Sequence, residues 1–402
     1  MAAERAHRGR RNTLIAVGSI IGVVLIGLGV VLTVGGIFVP ANYLQPWAST
    51  YAGQFSDVRM KVVSQALLAP SGHNMQPWTV TLDPVDARVL YLYTDPTRLT
   101  RAVDPLARQT MVSQGTFLEY LRVSADKLGY SATFILFPSG SYDEAHLTAS
   151  MSALPVAKIT LTKSSTVSTV DYASLFLSDT NRAPYADTQL TASQVGTLTG
   201  LAHDSGAKLQ VFADQKDLKT LDDFGVQGTL IETRYAAATR ESDRLFYSTE
   251  GAKNGARSGF AVEGQGTSGF MKYLLQGLIT IVPSINDDAA GAKNAIALTG
   301  AAVAHTPAYG MISTPTNTRI DQVRAGILYA EFSLRARTLG LVMQPLSQVL
   351  QEYPSMAGPY AAIHQQYAPA GQTIQMLVRI GTPTTQYPNT MRRDADTLVH
   401  TP

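Results

Sequence analysis

The chain has no cysteine among its 402 residues. That excludes disulfides, cysteine-ligated zinc, iron–sulfur clusters and thiol catalysis together, and it suits an exported domain. Histidine offers no substitute. The seven histidines (His7, His73, His146, His203, His305, His364 and His400) are scattered without a His-x-x-x-His pair, so no metal site is expected. Charge is scarce as well: Asp, Glu, Lys and Arg make up 15% of the chain, and the net charge is +2. Five of the charged residues (Glu4, Arg5, Arg8, Arg10, Arg11) fall at the extreme N-terminus, which leaves the body close to neutral. Without a dense basic face, nucleic acid is excluded as a partner. There is no Gly-x-Ser-x-Gly elbow, Ser–His–Asp order or carboxylate pair to recommend a hydrolase.

A long apolar run is present. Leu14 to Val39 contains no charged residue, and as a helix it would extend roughly 39 Å, enough for a bilayer core with some tilt. Arg5, Arg8, Arg10 and Arg11 precede it, whereas Pro40 to Asp57 holds no Lys or Arg. The positive-inside rule therefore predicts a single-pass protein with residues 1–13 cytoplasmic, 14–39 transmembrane and the domain extracytoplasmic. A cleaved export signal is the rival reading; Val39-Pro40-Ala41 makes a poor cleavage site, and Arg10-Arg11 is similar to part of a twin-arginine signal. Residues 40–55, aromatic and polar, read as an interfacial linker.

The densest chemical signal is Pro70-Ser71-Gly72-His73-Asn74-Met75-Gln76-Pro77-Trp78. It is a polar turn between a helix-like and a strand-like segment, pinned by two prolines and followed by an aromatic anchor. Neutral donors and acceptors of this kind suit the edge of a planar heterocycle whose faces take apolar cover. The string resembles the signature of the nitroreductase superfamily of FMN proteins, most closely its Acg-type branch. That resemblance implies an α+β nitroreductase-like fold and FMN as cofactor. It also implies ping-pong electron transfer through flavin N5, from NAD(P)H or a quinol to a nitro or quinone-type acceptor. The flavin carries that chemistry, so no protein acid or base is demanded, although His73 could polarise a substrate.

The chain also repeats itself. A helix-compatible stretch runs from Gly115 to Gly129, and another of the same length from Gly326 to Gly340. Each ends in a glycine suited to a C-cap, and each lies between strand-like segments. Nitroreductases are usually homodimers with flavin between protomers, so the resemblance implies two fused nitroreductase-like units forming an intrachain pseudo-dimer. The units are expected at 56–162 and 171–399, with a lid-like insertion at 215–300. Within the insertion, Gly251 to Gly269 reads as a mobile loop, and Met271 to Val282 as an apolar segment able to close over a ligand.

Two further strings extend the resemblance. Asn181 and Arg182 fall where the superfamily places an Arg-bearing segment on the FMN phosphate, and a planar guanidinium suits that role. Arg392 and Arg393 follow a late Gly-x-Pro strand, where a basic residue completes the phosphate site. The ring edge would be met by Pro70, Ser71, Gly72, His73, Asn74 and Gln76, with the segment opening at Gly340 passing near N5. The first unit lacks the Asn-Arg string and the second lacks Gln-Pro-Trp, which implies one FMN per chain. Gly264-Gln265-Gly266-Thr267-Ser268-Gly269 matches Gly-x-Gly-x-x-Gly but lacks the flanking strands of a dinucleotide site. The alternative to an enzyme is a protein that sequesters flavin with little turnover. A tethered scaffold whose flavin site has decayed is a third reading.

Overall fold

The computed structural model describes residues 2–165, 168–201, 206–368 and 371–400, so His203 lies outside the described residues. A long helix, α1 (Ala2–Val34), leads through short 3₁₀ turns to α2 (Val58–Ala66). Next come β1 (Trp78–Leu82), β2 (Val89–Thr94), α3 (Arg108–Lys127), β3 (Tyr130–Leu136), α4 (Leu147–Ala153) and β4 (Ala157–Lys163). Then α5 (Ala192–Thr199) and β5 (Lys208–Phe212) precede five helices: α6 (Gln215–Arg234), α7 (Ala236–Arg244), α8 (Glu250–Ala256), α9 (Gly269–Ile281) and α10 (Asp288–Val303). The chain continues through β6 (Ala308–Thr314), α11 (Arg319–Thr338), β7 (Val342–Pro345), α12 (Ala357–Tyr367) and β8 (Thr373–Gly381). The architecture is α+β with two sheets.

The two sheets are built alike. One has the order β1-β2-β4-β3 and the other β5-β6-β8-β7, and every pairing within them is antiparallel. A long central helix occupies the same place in each half: α3 between β2 and β3, α11 between β6 and β7. The glycine spacing has a structural reason. Gly129 and Gly340 end these helices with φ of 78° and 76°, conformations that an L side chain disfavours. Gly115 and Gly326 meet where α3 packs against α11. A Cβ on Gly115 would lie 2.7 Å from the Ile327 nitrogen, and one on Gly326 would lie 2.8 Å from the Val112 carbonyl carbon.

The cores interlock across this crossing. Val323, Ala330 and Leu334 of α11 join the apolar cluster around the first sheet. Val112 of α3 joins the cluster on the second. A further cluster, including Leu218 and Leu221 of α6 and Ile363 of α12, covers the opposite face of the second sheet. Its central strands β6 and β8 are therefore buried along their whole length and carry no polar alternation.

The N-terminal helix departs from the expected boundary. Leu14–Val34 is long and apolar enough to cross a membrane, and none of it is buried. Helix stops at Val34 rather than Val39 because the chain turns at Gly35-Gly36, where Gly36 has φ +89°. The insertion also differs from expectation. Gly251–Gly269 is not an open loop: it begins within α8, where Thr249 is the cap, accepting from the Ala252 N–H, and the segment is held by a buried ion cluster. In that cluster Lys253 pairs with Glu250 at 2.6 Å and with Glu263, while Lys272 reaches Glu250 at 2.9 Å. Tyr43 donates to Glu263 at 2.8 Å. Glycine content predicted an open loop, and helix and paired charge stand there instead.

Candidate functional site

The turn after α2 is held in an unusual backbone conformation. His73, Asn74 and Gln76 all have positive φ, at 52°, 52° and 51°. A non-glycine residue there costs of order 1 kcal/mol or more, and persists only where its surroundings over-determine it. The surroundings do so. The Gln76 N–H donates to Ser71 Oγ at 2.9 Å, and the Gly72 N–H to Ser113 Oγ of α3 at 3.2 Å. Asn74 Nδ2 donates to the carbonyls of Gly259 and Met391, at 3.2 and 3.1 Å. Gln76 is fully buried; its amide donates to the Arg257 carbonyl at 2.8 Å, and its Oε1 accepts the Arg393 N–H at 2.8 Å.

This turn forms one wall of a cavity of about 920 Å³, at the large end of the range for cofactor pockets. Pro70, Ser71, Gly72, His73 and Asn74 line it from the first half, with Gln109, Val112, Ser113 and Thr116 of α3 behind them. Facing them from the second half are Asp179, Arg182, Tyr329, Gln344, Pro345 and Gln348. The insertion supplies the remaining wall, with Glu232, Phe246, Phe260, Gly264 and residues of α9 and α10. The cavity therefore lies between the two halves and beneath the insertion.

Arg182 is the cation of this cavity. One guanidinium nitrogen donates to the Gly264 carbonyl at 2.7 Å, and among the described residues no carboxylate lies within salt-bridge distance of it. Most of its five donors remain for a ligand. His73 is enclosed nearby, its ring 5.0 Å from that of Phe260. Burial, helped by the positive charge of Arg182, pushes the imidazole down to about 4, so it is neutral at pH 7. Burial raises the Glu232 carboxyl to about 7. Tyr329 Oη and Gln348 Oε1 are buried in the wall without a hydrogen-bond partner. An orphaned buried polar atom costs roughly 1–3 kcal/mol and marks a place where a ligand atom fits.

Five expected ligands do not reach the cavity wall, and each has a structural occupation. Arg392 is wholly buried: it donates to Asn74 Oδ1 and Asp179 Oδ2 at 2.9 Å each and to the Leu68 carbonyl at 3.0 Å. Its guanidinium also lies 4.6 Å over the Trp47 ring. Arg393 donates to the carbonyls of Gln76 and Trp78, at 3.1 and 3.0 Å. Asn181 donates to the Thr385 carbonyl at 2.7 Å. Gly340 is the cap of α11, and Gln76 is occupied as described above. The basic pair thus staples the C-terminal segment over the signature turn. Sequence reasoning missed Glu232, Phe260, Tyr329 and Gln348, which come from distant elements with no local motif. The Gly264–Gly269 string sits in the cavity roof without Rossmann strands, and a Cβ on Gly266 would lie 2.8 Å from the Tyr387 ring. Among the described residues no His, Asp and Glu cluster could hold a metal ion.

No family profile matches the chain. Two curated proteins of Mycobacterium tuberculosis (strains CDC 1551 / Oshkosh and H37Rv), provisionally named NAD(P)H nitroreductases, are each 35% identical to it over 86 residues. The matched stretch is 21% of this chain and 24% of each relative, so the chain spans about a quarter of the length of the curated relatives it matches. Over that stretch the chain is similar to these two proteins. Two solved structures were also found, a nitroreductase-like family protein from Bacillus cereus and a provisional nitroreductase from Anabaena variabilis. Both are 11% identical with a TM-score of 0.30. The first covers 58% of this chain and 95% of its own, and the second 79% and 82%. Likeness at that level carries no argument.

Proposed function

We propose that the chain is a membrane-anchored, FMN-binding oxidoreductase of nitroreductase type, in which two fused units form a pseudo-dimer around one flavin. The observation that carries this reading is the cavity between the halves, with the signature turn on one wall and Arg182 on the other. Bound FMN would supply hydride transfer between a donor such as NAD(P)H and a nitro or quinone-type acceptor. The residues present fit that group. The Arg182 fork suits the phosphate, the orphaned Tyr329 Oη and Gln348 Oε1 offer hydrogen bonds, and Phe260 offers apolar cover. Ser71, Gly72, His73 and Asn74 would meet the ring edge. Gln76, Arg392 and Arg393 act one step back, holding the turn in its positive-φ form. The like strand orders and the α3–α11 crossing support the pseudo-dimer. A neutral His73 beside Arg182 leaves the positive charge there to a single group, which favours one anionic ligand.

The insertion that roofs the cavity favours a second reading, flavin storage with little turnover. Anaerobic addition of NADPH to the FMN-loaded protein separates the two. Bleaching within seconds supports the reductase; a flavin that stays oxidised for an hour with NADPH and then with a reduced quinone contradicts it and favours storage.

A further inference from the structure

The hairpin made by α9, the turn at Pro283–Asn286 and α10 roofs the cavity, and the apolar side chains on its outer face are left exposed among the described residues. The α9 helix packs against the end of α1. A Cβ on Gly35 would lie 2.9 Å from the Tyr273 carbonyl carbon, and one on Gly277 would lie 2.8 Å from the Val31 carbonyl carbon. As α9 advances from Tyr273 to Gly277, its contacts retreat from Gly35 to Val31, so the two helices run antiparallel. The C-terminal half of α9 therefore descends beside the last turns of the apolar helix. Gln276 Nε2 secures the approach by donating to the Gly35 carbonyl at 2.6 Å.

The composition of the hairpin matches that position. From Gly269 to Asn286 the single charged residue is Lys272, and it is turned inward, 8% exposed, onto Glu250. Met271, Leu278, Ile281, Val282 and Ile285 point outward instead, each between 38 and 56% exposed. Spacings of three, four and seven put them on one stripe of α9 and the turn beyond it. Such a stripe beside an unburied apolar helix fits lipid. Asp287, which caps α10 by accepting the Ala290 N–H at 2.9 Å, bounds the uncharged stretch and limits insertion to the headgroup–acyl boundary.

We propose that the α9–α10 hairpin is a membrane-docking surface that lies in the outer part of the same leaflet α1 leaves. This rests on reading α1 as the bilayer anchor. Ile285 and Leu298 are exposed and also line the cavity, so docking places one mouth of the cavity against lipid. An amphipathic ligand dissolved in the bilayer would then reach the cavity without crossing bulk water.

Because the chain has no cysteine, single-cysteine variants of the full-length protein report unambiguously. Leu278→Cys and Ile285→Cys probe the hairpin and Val23→Cys probes α1. Val85→Cys, at a residue 94% exposed in the turn between β1 and β2, is the aqueous reference. Each carries an environment-sensitive fluorophore and is reconstituted in phosphatidylcholine vesicles, with or without a phospholipid bearing a nitroxide high on its acyl chain. The expected result is quenching at Leu278→Cys and Ile285→Cys of at least half that at Val23→Cys, with Val85→Cys unaffected. Quenching at Val23→Cys alone overturns the docking surface and leaves the anchor intact. No quenching at Val23→Cys overturns the anchor, and the docking surface with it. Label self-quenching at Ile285→Cys that rises with protein density, without lipid quenching, assigns the stripe to a second copy of the chain and overturns the proposal.

Discussion

Replacing Gly115 by alanine tests whether the crossing of α3 and α11 unites the two halves. The new methyl would sit 2.7 Å from the Ile327 nitrogen and 2.8 Å from the Gly326 Cα, against an ordinary contact of 3.4 Å or more. The Val323 carbonyl oxygen lies nearer still; all of these obstructing atoms are main chain, so no side chain can rotate away and the helices must part by more than the difference at Ile327, about 0.7 Å. Overpacking against backbone belongs at the upper end of its usual range, about 3 kcal/mol. The gain in helix propensity from Gly to Ala offsets about 1 kcal/mol of that. A net loss of about 2 kcal/mol, spread over an unfolding entropy of about 2.1 cal/mol/K per residue for roughly 340 residues, lowers Tm by about 3 °C. Val112, Ser113 and Thr116 on the same helix line the cavity, so FMN affinity should fall as well. Differential scanning calorimetry of the detergent-solubilised protein reads the shift. Gly196→Ala in α5 is the control, because a Cβ there meets nothing within 4 Å, and its Tm should hold or rise. A Gly115→Ala protein within 1 °C of the parent, or a Gly196→Ala protein that falls as far, would refute the argument.

Arg182→Leu should weaken FMN binding by about 10- to 100-fold, the effect of removing a charge-assisted hydrogen-bond donor, while Tm without flavin changes little; fluorescence titration and melting check both halves of this. The folded pKa of His73, pushed down to about 4, lies below its unfolded value of about 6.5. The unfolded chain therefore binds the extra proton first, and this stabilisation, complete above pH 6.5, is lost as pH falls through about 4, up to about 3 kcal/mol. Glu232, raised to about 7, acts oppositely, losing stability as pH rises from its unfolded value of about 4.3 toward 7. His73→Asn should consequently flatten the acid limb of a Tm–pH profile; a limb of unchanged steepness contradicts the assignment. Lys253→Met leaves Glu250 and Glu263 buried with their ion cluster depleted, and the cost should be about 3–5 kcal/mol. A melt shows it, and a loss below about 1 kcal/mol would mean that the cluster relaxes or admits water.

Local chemistry made part of this protein legible. Pro70 to Trp78 reads as a polar, proline-bounded turn because its residue types admit little else, and the structure places five of its residues on the cavity. The paired glycines at 115/129 and 326/340 are visible as a spacing because helix caps and close crossings both demand glycine. What was not legible depends on long-range partners. Arg392 and Arg393 look like ligand or solvent residues, yet the C-terminal segment folds back onto the first sheet, bridging Val399 to Val80, and buries them as staples. Gly251 to Gly269 looks loose because nothing nearby shows that Tyr43 will join its buried carboxylates. The cavity residues Glu232, Tyr329 and Gln348 come from three separate elements, and no window of sequence contains them together.

The most direct test of the central claim is the flavin content of the purified full-length protein, incubated with FMN, desalted and measured by visible absorption against protein concentration. The account predicts a yellow protein with one FMN per chain. A colourless protein would contradict the flavin site, and two FMN per chain would contradict the single cavity shared between the halves.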